Sequence, residues 1–148
     1  MIEIRPCTPE DAPAVSALLG ELGYDVSSEA AAERMRRLNR TGLDPTFIAG
    51  EDGRPLGLIA LHHCHMIQYP EPVARITALV VYQQARRRGI GRLLIDHALR
   101  WAEQRGCELV ELTSALNREA AHAFYRDLGF EANSLRFRKS LVVDIGAR

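Results

Sequence analysis

The residues with the clearest chemical potential form one short stretch, Gln84 to Arg92, which reads QARRRGIGR. The β-branched run Ala74 to Tyr82 before it predicts a strand, and the spacing of apolar residues after it predicts a helix. The first N–H groups of a helix have no internal acceptors, and Gly89 and Gly91 allow backbone to approach an anion closely. Arginine adds charge-assisted hydrogen bonds. The stretch therefore predicts a site for a ligand that carries several phosphates.

The same stretch has a plainer interpretation as a solvated face in front of a helix. A lone GxG is a weak signal, and arginine runs are usually exposed. The GxxxxGK[ST] motif of P-loop proteins is absent, and a leucine occupies position 94, where GxGxxG requires glycine. Taken alone, these residues leave both interpretations open.

Periodicity and turn residues indicate the elements that must position this stretch. Helical spacing follows Thr8-Pro9 as far as Gly23, runs from Ser27 or Ser28 to Asn39, follows Ile90 as far as Arg105, and follows a cap at Asn117 as far as Gly129. Strand patterns cover 1–5, 46–49, 56–65, 74–82, 107–113 and 135–143. This order predicts a mixed α/β (or α+β) sheet covered by helices, in one domain spanning residues 1–148.

Composition narrows the class of protein. The chain has 148 residues, 47% of them apolar, and its 19 Lys and Arg balance 19 Asp and Glu, so we expect neither a nucleic-acid nor a membrane partner. Three cysteines without CxxC spacing indicate a reducing compartment. The early charges at the N-terminus and the lack of an apolar run near 18 residues favour a cytoplasmic protein.

Two motifs together resemble those of the GNAT family of N-acetyltransferases. Arg86-x-x-Gly89-x-Gly91 fits the family's acetyl-coenzyme A binding signature, [Q/R]-x-x-G-x-[G/A], and NREAAHAFYRDLGF, from Asn117 to Phe130, is similar to its second hallmark. The order and spacing of the motifs match over nearly the whole chain. The resemblance implies the family's acyl-coenzyme A N-acyltransferase fold, with about six to seven strands flanked by about four helices.

The resemblance also implies roles for individual residues. Acetyl-coenzyme A would be the co-substrate, its pyrophosphate held by the loop amides and its pantetheine arm bonded to backbone of the preceding strand. Tyr125 would be the catalytic acid that protonates the departing thiolate. The implied cofactor-binding residues are Leu79, Val80, Val81, Arg86, Arg87, Arg88, Gly89, Ile90, Gly91, Arg92 and Asn117.

The general base is where this sequence departs from the family. Many members carry a glutamate on the strand before the loop, where this chain has Ala78. Other candidates for the base or for a substrate contact are Glu71 and the pair His63 and His65, which alternation places on one strand face with His62 on the other. A relayed water and ordinary strand histidines are the alternatives. The two imidazoles lack an identified third ligand, so we expect no metal.

The substrate follows less directly from the sequence. The subgroup most similar in its motifs is the small bacterial enzymes near aminoalkylphosphonate N-acetyltransferase, which suggests a small primary amine. The basic residues Arg136, Arg138 and Lys139 either bind an anionic substrate or form the solvent face of an edge strand, which would also suit a homodimer. A protein amine as acceptor and a non-catalytic acyl-coenzyme A sensor are the rival functions.

Overall fold

The computed structural model describes residues 1–142, arranged as two compact units that divide between Leu112 and Thr113. The elements of the first unit are β1 (Glu3–Pro6), α1 (Ala12–Glu21), α2 (Ser28–Asn39), β2 (Thr46–Glu51), β3 (Arg54–Cys64), β4 (Val73–Val81), α3 (Ile90–Gln104) and β5 (Leu109–Leu112). The second unit contains α4 (Glu119–Asp127). The prediction of a mixed sheet with helices is confirmed, with five strands in the described residues instead of six to seven.

The sheet has the strand order β1-β2-β3-β4-β5. The first four strands are antiparallel neighbours, and β5 pairs in parallel with the start of β4. The turn between β2 and β3 is built on Asp52 and Gly53, both with positive φ, as the Asp-Gly dipeptide predicts. A parallel partner needs a crossover, and α3 supplies it between β4 and β5.

Helices pack on both faces of this sheet. On one face α1 and α2 bury a core that includes Leu18, Met35, Ile48, Leu58 and Val80. On the other face the α3 residues His97 and Trp101 contact rings of β2 and β3, and Leu94 packs over Gly57. Because side chains alternate along a strand, β3 residues 57, 59, 61 and 63 face α3, whereas 58, 60 and 62 face the opposite side.

The predicted helix starts are largely confirmed. Ser27 caps α2, where its side chain accepts from the Ala30 N–H at 3.1 Å. The first helix differs, because Pro9–Asp11 forms a short 3-10 turn and the α-helix begins at Ala12. Asp11 accepts hydrogen bonds from Arg5 and from the Thr8 N–H, which fixes this tighter entry and holds the pKa of the Asp11 carboxyl at about 2.

The second unit departs from prediction in two places. Arg118, not Asn117, is the residue that precedes α4, because the Arg118 carbonyl accepts the first helical bond, from His122 N–H at 3.1 Å. The strand predicted at 135–143 is wrong for residues 135–142, which form no strand, while residue 143 lies outside the described residues. Alternation describes a strand only where a neighbouring strand supplies backbone partners. Residues 135–142 therefore do not supply the edge strand expected for the dimer contact.

The close packing of α3 on the sheet depends on Gly57. A Cβ at this position would lie 2.9 Å from the Val80 carbonyl oxygen and 3.3 Å from a Leu94 methyl carbon. We predict that Gly57→Ala lowers the free energy of unfolding by about 1–3 kcal/mol, because a backbone atom cannot shift cheaply to make room. Urea unfolding followed by circular dichroism measures this.

Gly20→Ala is the matched control. Gly20 lies within α1 with nothing within 4 Å of its Cβ position, so alanine should raise stability by about 0.5–1 kcal/mol through helix propensity. Equal effects of the two substitutions would contradict this account of the packing.

Candidate functional site

Strands β4 and β5 are paired over only part of β4. The pairing between them begins with Val73 opposite Leu109 and ends with Ile76 opposite Leu112. Thr77 is the extra residue of a β-bulge, because β3 partners jump from Ile76 to Ala78 at this point. From Thr77 to Val81, β4 is paired with β3 on one side and has no paired strand on the other among the described residues. We call this segment the free edge of β4.

The hydrogen-bond ladder determines which groups point out of the free edge. Tyr82 N–H donates to the Leu56 carbonyl at 2.9 Å, so the alternate residue Val80 also turns its backbone groups toward β3. Leu79 and Val81 then present theirs outward. Of the three residues predicted to bond an extended ligand, Leu79 and Val81 are oriented for it and Val80 is not.

The loop after β4 presents a run of unpaired backbone donors. Arg87 and Gly89 adopt left-handed conformations, with φ of 65° and 76°, and α3 begins at Ile90. Within residues 1–142, the backbone N–H groups from 87 to 92 have no protein acceptor. Such a turn followed by the positive end of a helix dipole binds anions. Gly89 and Gly91 lie within this loop, and their role in holding phosphate stays a prediction.

The arginine side chains divide into two groups. Arg88 donates two hydrogen bonds to Glu51, at 2.9 and 2.8 Å, and this contact lowers the pKa of the Glu51 carboxyl. Arg86 donates to the Val81 carbonyl at 3.3 Å and pairs with Glu21 at 3.4 Å. Arg87 and Arg92 are exposed and have no ion pair in the described part of the chain. Two of the predicted ligand contacts thus clamp the loop through their side chains.

Tyr125 lies on α4, in the second unit. Its ring packs edge-on against Phe124 and Phe130, with centroids 5.5 and 6.0 Å away. The Phe130 N–H donates to the Tyr125 carbonyl at 3.0 Å, so Phe130 folds back after Gly129 as the sequence predicts. Burial raises the pKa of the Tyr125 phenol above its ordinary value of 10, which keeps a proton available at neutral pH. Asn117 is exposed in the turn before α4, and its predicted cofactor contact stays a prediction.

The predicted base candidates do not lie together at the free edge. His63 packs edge-on against Trp101 of α3 at 6.3 Å, and its ring lies 5.6 Å from that of His65, just past the end of β3. Glu71 is exposed, and its N–H donates to Glu108. Ala78 is on the free edge itself and carries no titratable group. Their roles as base or substrate contact stay predictions.

A polar pair that the sequence reasoning did not select lies on the opposite face of β3 from His63. The Nδ1 atom of His62 is 2.6 Å from Oδ1 of Asp44, and the other Asp44 oxygen accepts from the Thr41 hydroxyl at 2.6 Å. His62 and Asp44 are 18 positions apart in the chain, so the sequence did not indicate this contact. It indicated only, by alternation along β3, that His62 lies on the other face from His63 and His65.

No group of three or more His, Cys, Asp or Glu side chains in residues 1–142 is placed to hold a metal ion. No helix in the same range is long and apolar enough to cross a membrane.

Known proteins share both the sequence pattern and the fold. The chain is 32% identical over 147 residues to the aminoalkylphosphonate N-acetyltransferase of Salmonella typhimurium, covering 94% of this chain and 91% of that protein. An acetyltransferase of Trypanosoma brucei superposes with a TM-score of 0.81 and 27% identity, covering 95% of this chain and all of that one. A transcriptional regulator of Bacillus halodurans has a TM-score of 0.86 at 22% identity, over 95% of this chain and 100% of that one, which shows a common fold alone.

The sequence model of the Acetyltransferase (GNAT) family matches residues 13–130, a range that contains the free edge of β4, the loop and Tyr125. The chain belongs to the GNAT family and is an acetyl-coenzyme A-dependent N-acetyltransferase.

Proposed function

We propose that the protein transfers the acetyl group of acetyl-coenzyme A to the primary amine of a small anionic molecule of the aminoalkylphosphonate class. The observation that carries the proposal is the free edge of β4 leading directly into the unpaired amides of residues 87–92. Together they form a continuous line of backbone groups, first for an extended amide-bearing arm and then for phosphates.

The cofactor would bind mainly through backbone. The pyrophosphate would accept from the N–H groups of residues 87–92, and the pantetheine amides would pair with Leu79 and with the N–H of Val81, whose carbonyl accepts from Arg86. Arg87 and Arg92 are the cations that remain available for phosphate in the described residues. Arg86 and Arg88 would act indirectly, by holding the loop against Glu21 and Glu51.

The acceptor class is supported by the Salmonella relative, which matches nearly the full length of both chains. A small amine also suits direct transfer, in which the amine nitrogen attacks the thioester and the sulfur leaves with a proton. Tyr125 is assigned as the proton donor, because a phenol is protonated at neutral pH and can give that proton to a thiolate.

The setting of the reaction is also a proposal. All three cysteines, Cys7, Cys64 and Cys107, are unpaired, as a reducing cytoplasm would leave them. We place the enzyme there, as a catalyst for a small molecule and not for nucleic acid or membrane.

Turnover tests the acceptor class and Tyr125 together. Release of free coenzyme A should be at least tenfold faster, as kcat/KM, with 2-aminoethylphosphonate than with propylamine, which keeps the amine and lacks the anion.

Tyr125→Phe should lower kcat roughly 100-fold without changing the Kd of acetyl-coenzyme A, since it removes only a proton donor. Because burial raises the pKa of the Tyr125 phenol above its ordinary value of 10, any loss of wild-type activity caused by its deprotonation should have its midpoint above pH 10.

Equal rates with both amines would refute the anionic substrate class. A folded wild-type protein that binds acetyl-coenzyme A and acetylates no amine would instead support the non-catalytic sensor.

Gly89 tests the phosphate cradle. Gly89→Ala adds a Cβ at a φ of 76°, which strains the turn that aims the loop amides, so the Kd of acetyl-coenzyme A should rise at least tenfold by isothermal titration calorimetry. Gly106→Ala is the matched control, because Gly106 follows α3 with a φ of 72° and equally open space. Both variants should lose about 1 kcal/mol of stability, and only Gly89→Ala should lose affinity. Similar affinities of the two variants for acetyl-coenzyme A would contradict the assignment of the phosphate site to this loop.

The clamp between Arg88 and Glu51 is tested by a double-mutant cycle. If Arg88 positions the loop through Glu51, then Arg88→Gln and Glu51→Gln should each raise the Kd of acetyl-coenzyme A about two- to fivefold, and the double variant should add little more. Arg37→Gln, which breaks a surface pair with Glu33 on α2, is the control and should leave the Kd unchanged. A large effect of Arg88→Gln with none from Glu51→Gln would mean that Arg88 contacts the ligand directly.

A further inference from the structure

We infer that His62, oriented by Asp44, is the general base that takes the proton from the incoming amine. The inference rests on the proposed acetyl transfer and assigns the task of the general base, for which β4 offers no carboxylate at position 78, where this chain has alanine.

Backbone hydrogen bonds hold this pair together. The Leu61 N–H donates to the Pro45 carbonyl at 2.9 Å, and the His63 N–H donates to the Leu43 carbonyl at 2.8 Å. These two bonds extend the sheet past the start of β2 and fix residues 43–45 alongside β3. Asp44 therefore faces His62 as a consequence of strand pairing, independently of any ligand.

The Asp44 side chain is fixed in turn. Its Oδ2 accepts from the Thr41 hydroxyl at 2.6 Å, and the Thr41 hydroxyl oxygen accepts from the Leu43 N–H at 3.0 Å. Oδ1 lies 2.6 Å from Nδ1 of His62. A carboxylate on one imidazole nitrogen sets the tautomer in which Nδ1 carries the proton and Nε2 carries the lone pair. Nε2 has no recorded partner in residues 1–142, and the His62 side chain is 41% exposed.

The pair stands beside the start of the free edge. His62 is the strand partner of Arg75, two residues before Thr77, and it shares its face with Ala60, the partner of Ala78. If the pyrophosphate lies at residues 87–92 and the pantetheine arm runs back along Val81 and Leu79, the thioester reaches the Thr77–Ala78 end of the edge. His62 is then on β3, across β4 from the reacting carbon, and on the face of the sheet that Ala60 shares with Ala78.

The charges around His62 are balanced. Arg75, directly across on β4, is paired with Glu111 of β5 at 2.9 Å, and Asp44 is the carboxylate next to the imidazole. Cys64 is the other titratable group on this face of β3. His63 and His65 differ from His62 in this respect, because His63 packs on Trp101 and neither forms a hydrogen bond to a carboxylate in the described residues.

The step balances as a direct transfer. An alkylammonium gives one proton to Nε2 of His62, and the free amine attacks the thioester carbon. The N–C bond forms, the C–S bond breaks, and a second nitrogen proton ends on the coenzyme A sulfur, while His62 returns its proton to solvent. Most of an alkylamine is protonated at neutral pH, so removal of this first proton limits the reactive fraction.

The test compares His62→Gln with His63→Gln, which removes an imidazole from the neighbouring position on the opposite face. His62→Gln should lower kcat at least 100-fold, leave the Kd of acetyl-coenzyme A unchanged, and abolish the ascending limb of the pH–rate profile that wild type shows with 2-aminoethylphosphonate. Asp44→Asn should lower kcat about tenfold, because the imidazole loses the carboxylate that orients it. Arg37→Gln on the surface of α2 is the control and should keep both the rate and the limb, whereas His63→Gln tests the rival base.

Three results would overturn the inference. Retention of rate and pH profile in folded His62→Gln would remove His62 as base, and the same losses in His63→Gln alone would transfer the role to His63. Lower stability of His62→Gln with an unchanged pH profile would mean that the pair only fixes residues 43–45. Absence of turnover in wild type with any amine would refute the proposed function itself, which the variant comparison distinguishes from failure of the base.

Discussion

The site depends on one constraint, that β4 keeps a strand partner on only one side after Ile76. Backbone N–H and C=O groups in a sheet are strong hydrogen-bonding groups that require partners. The Thr77 bulge lies where pairing with β5 ends, and a bulge increases local twist and turns a strand away from its neighbour. An extended ligand with amide groups is the natural partner for such an edge, and the loop that follows supplies donors for its phosphates.

The remaining elements of the first unit maintain that constraint. Gly57 allows α3 to approach the sheet closely. Tyr82 donates to the Ala14 carbonyl of α1 at 3.3 Å, and Glu21 at the end of α1 accepts from the Gln83 N–H at 3.1 Å. The loop is therefore held by a helix on one face of the sheet and by Glu51 of β2, while its own amides stay unoccupied. Rigidity of this kind lowers the entropic cost of binding a flexible cofactor.

The sequence predicted the elements well because their signals are local. Strand β4 was expected at 74–82 and lies at Val73–Val81, and α3 was expected to begin near Gly89 and begins at Ile90. The partners of the arginines could not be predicted, since Glu51 is 37 residues from Arg88 and Glu21 is 65 residues from Arg86. Alternation correctly separated His62 from His63, yet it could not show which face α3 covers. The predicted strand failed over residues 135–142, because alternation in the sequence indicates a possible surface and does not show that a neighbouring strand is present.

The partners of the arginines also explain how a chain without net charge concentrates cations beside glycines. Arg86 and Arg88 are matched by Glu21 and Glu51, so half of the positive charge between residues 86 and 92 is used to shape the loop. Exposed pairs of this kind contribute little to stability individually, about 0–1 kcal/mol. These pairs orient the loop instead, because each guanidinium donates hydrogen bonds to a carboxylate or a carbonyl of a neighbouring element. They thereby fix the left-handed turn at Arg87 and Gly89. Anion binding would then depend on backbone N–H groups whose direction is set by the fold. Arg87 and Arg92 are the exposed cations beside these groups.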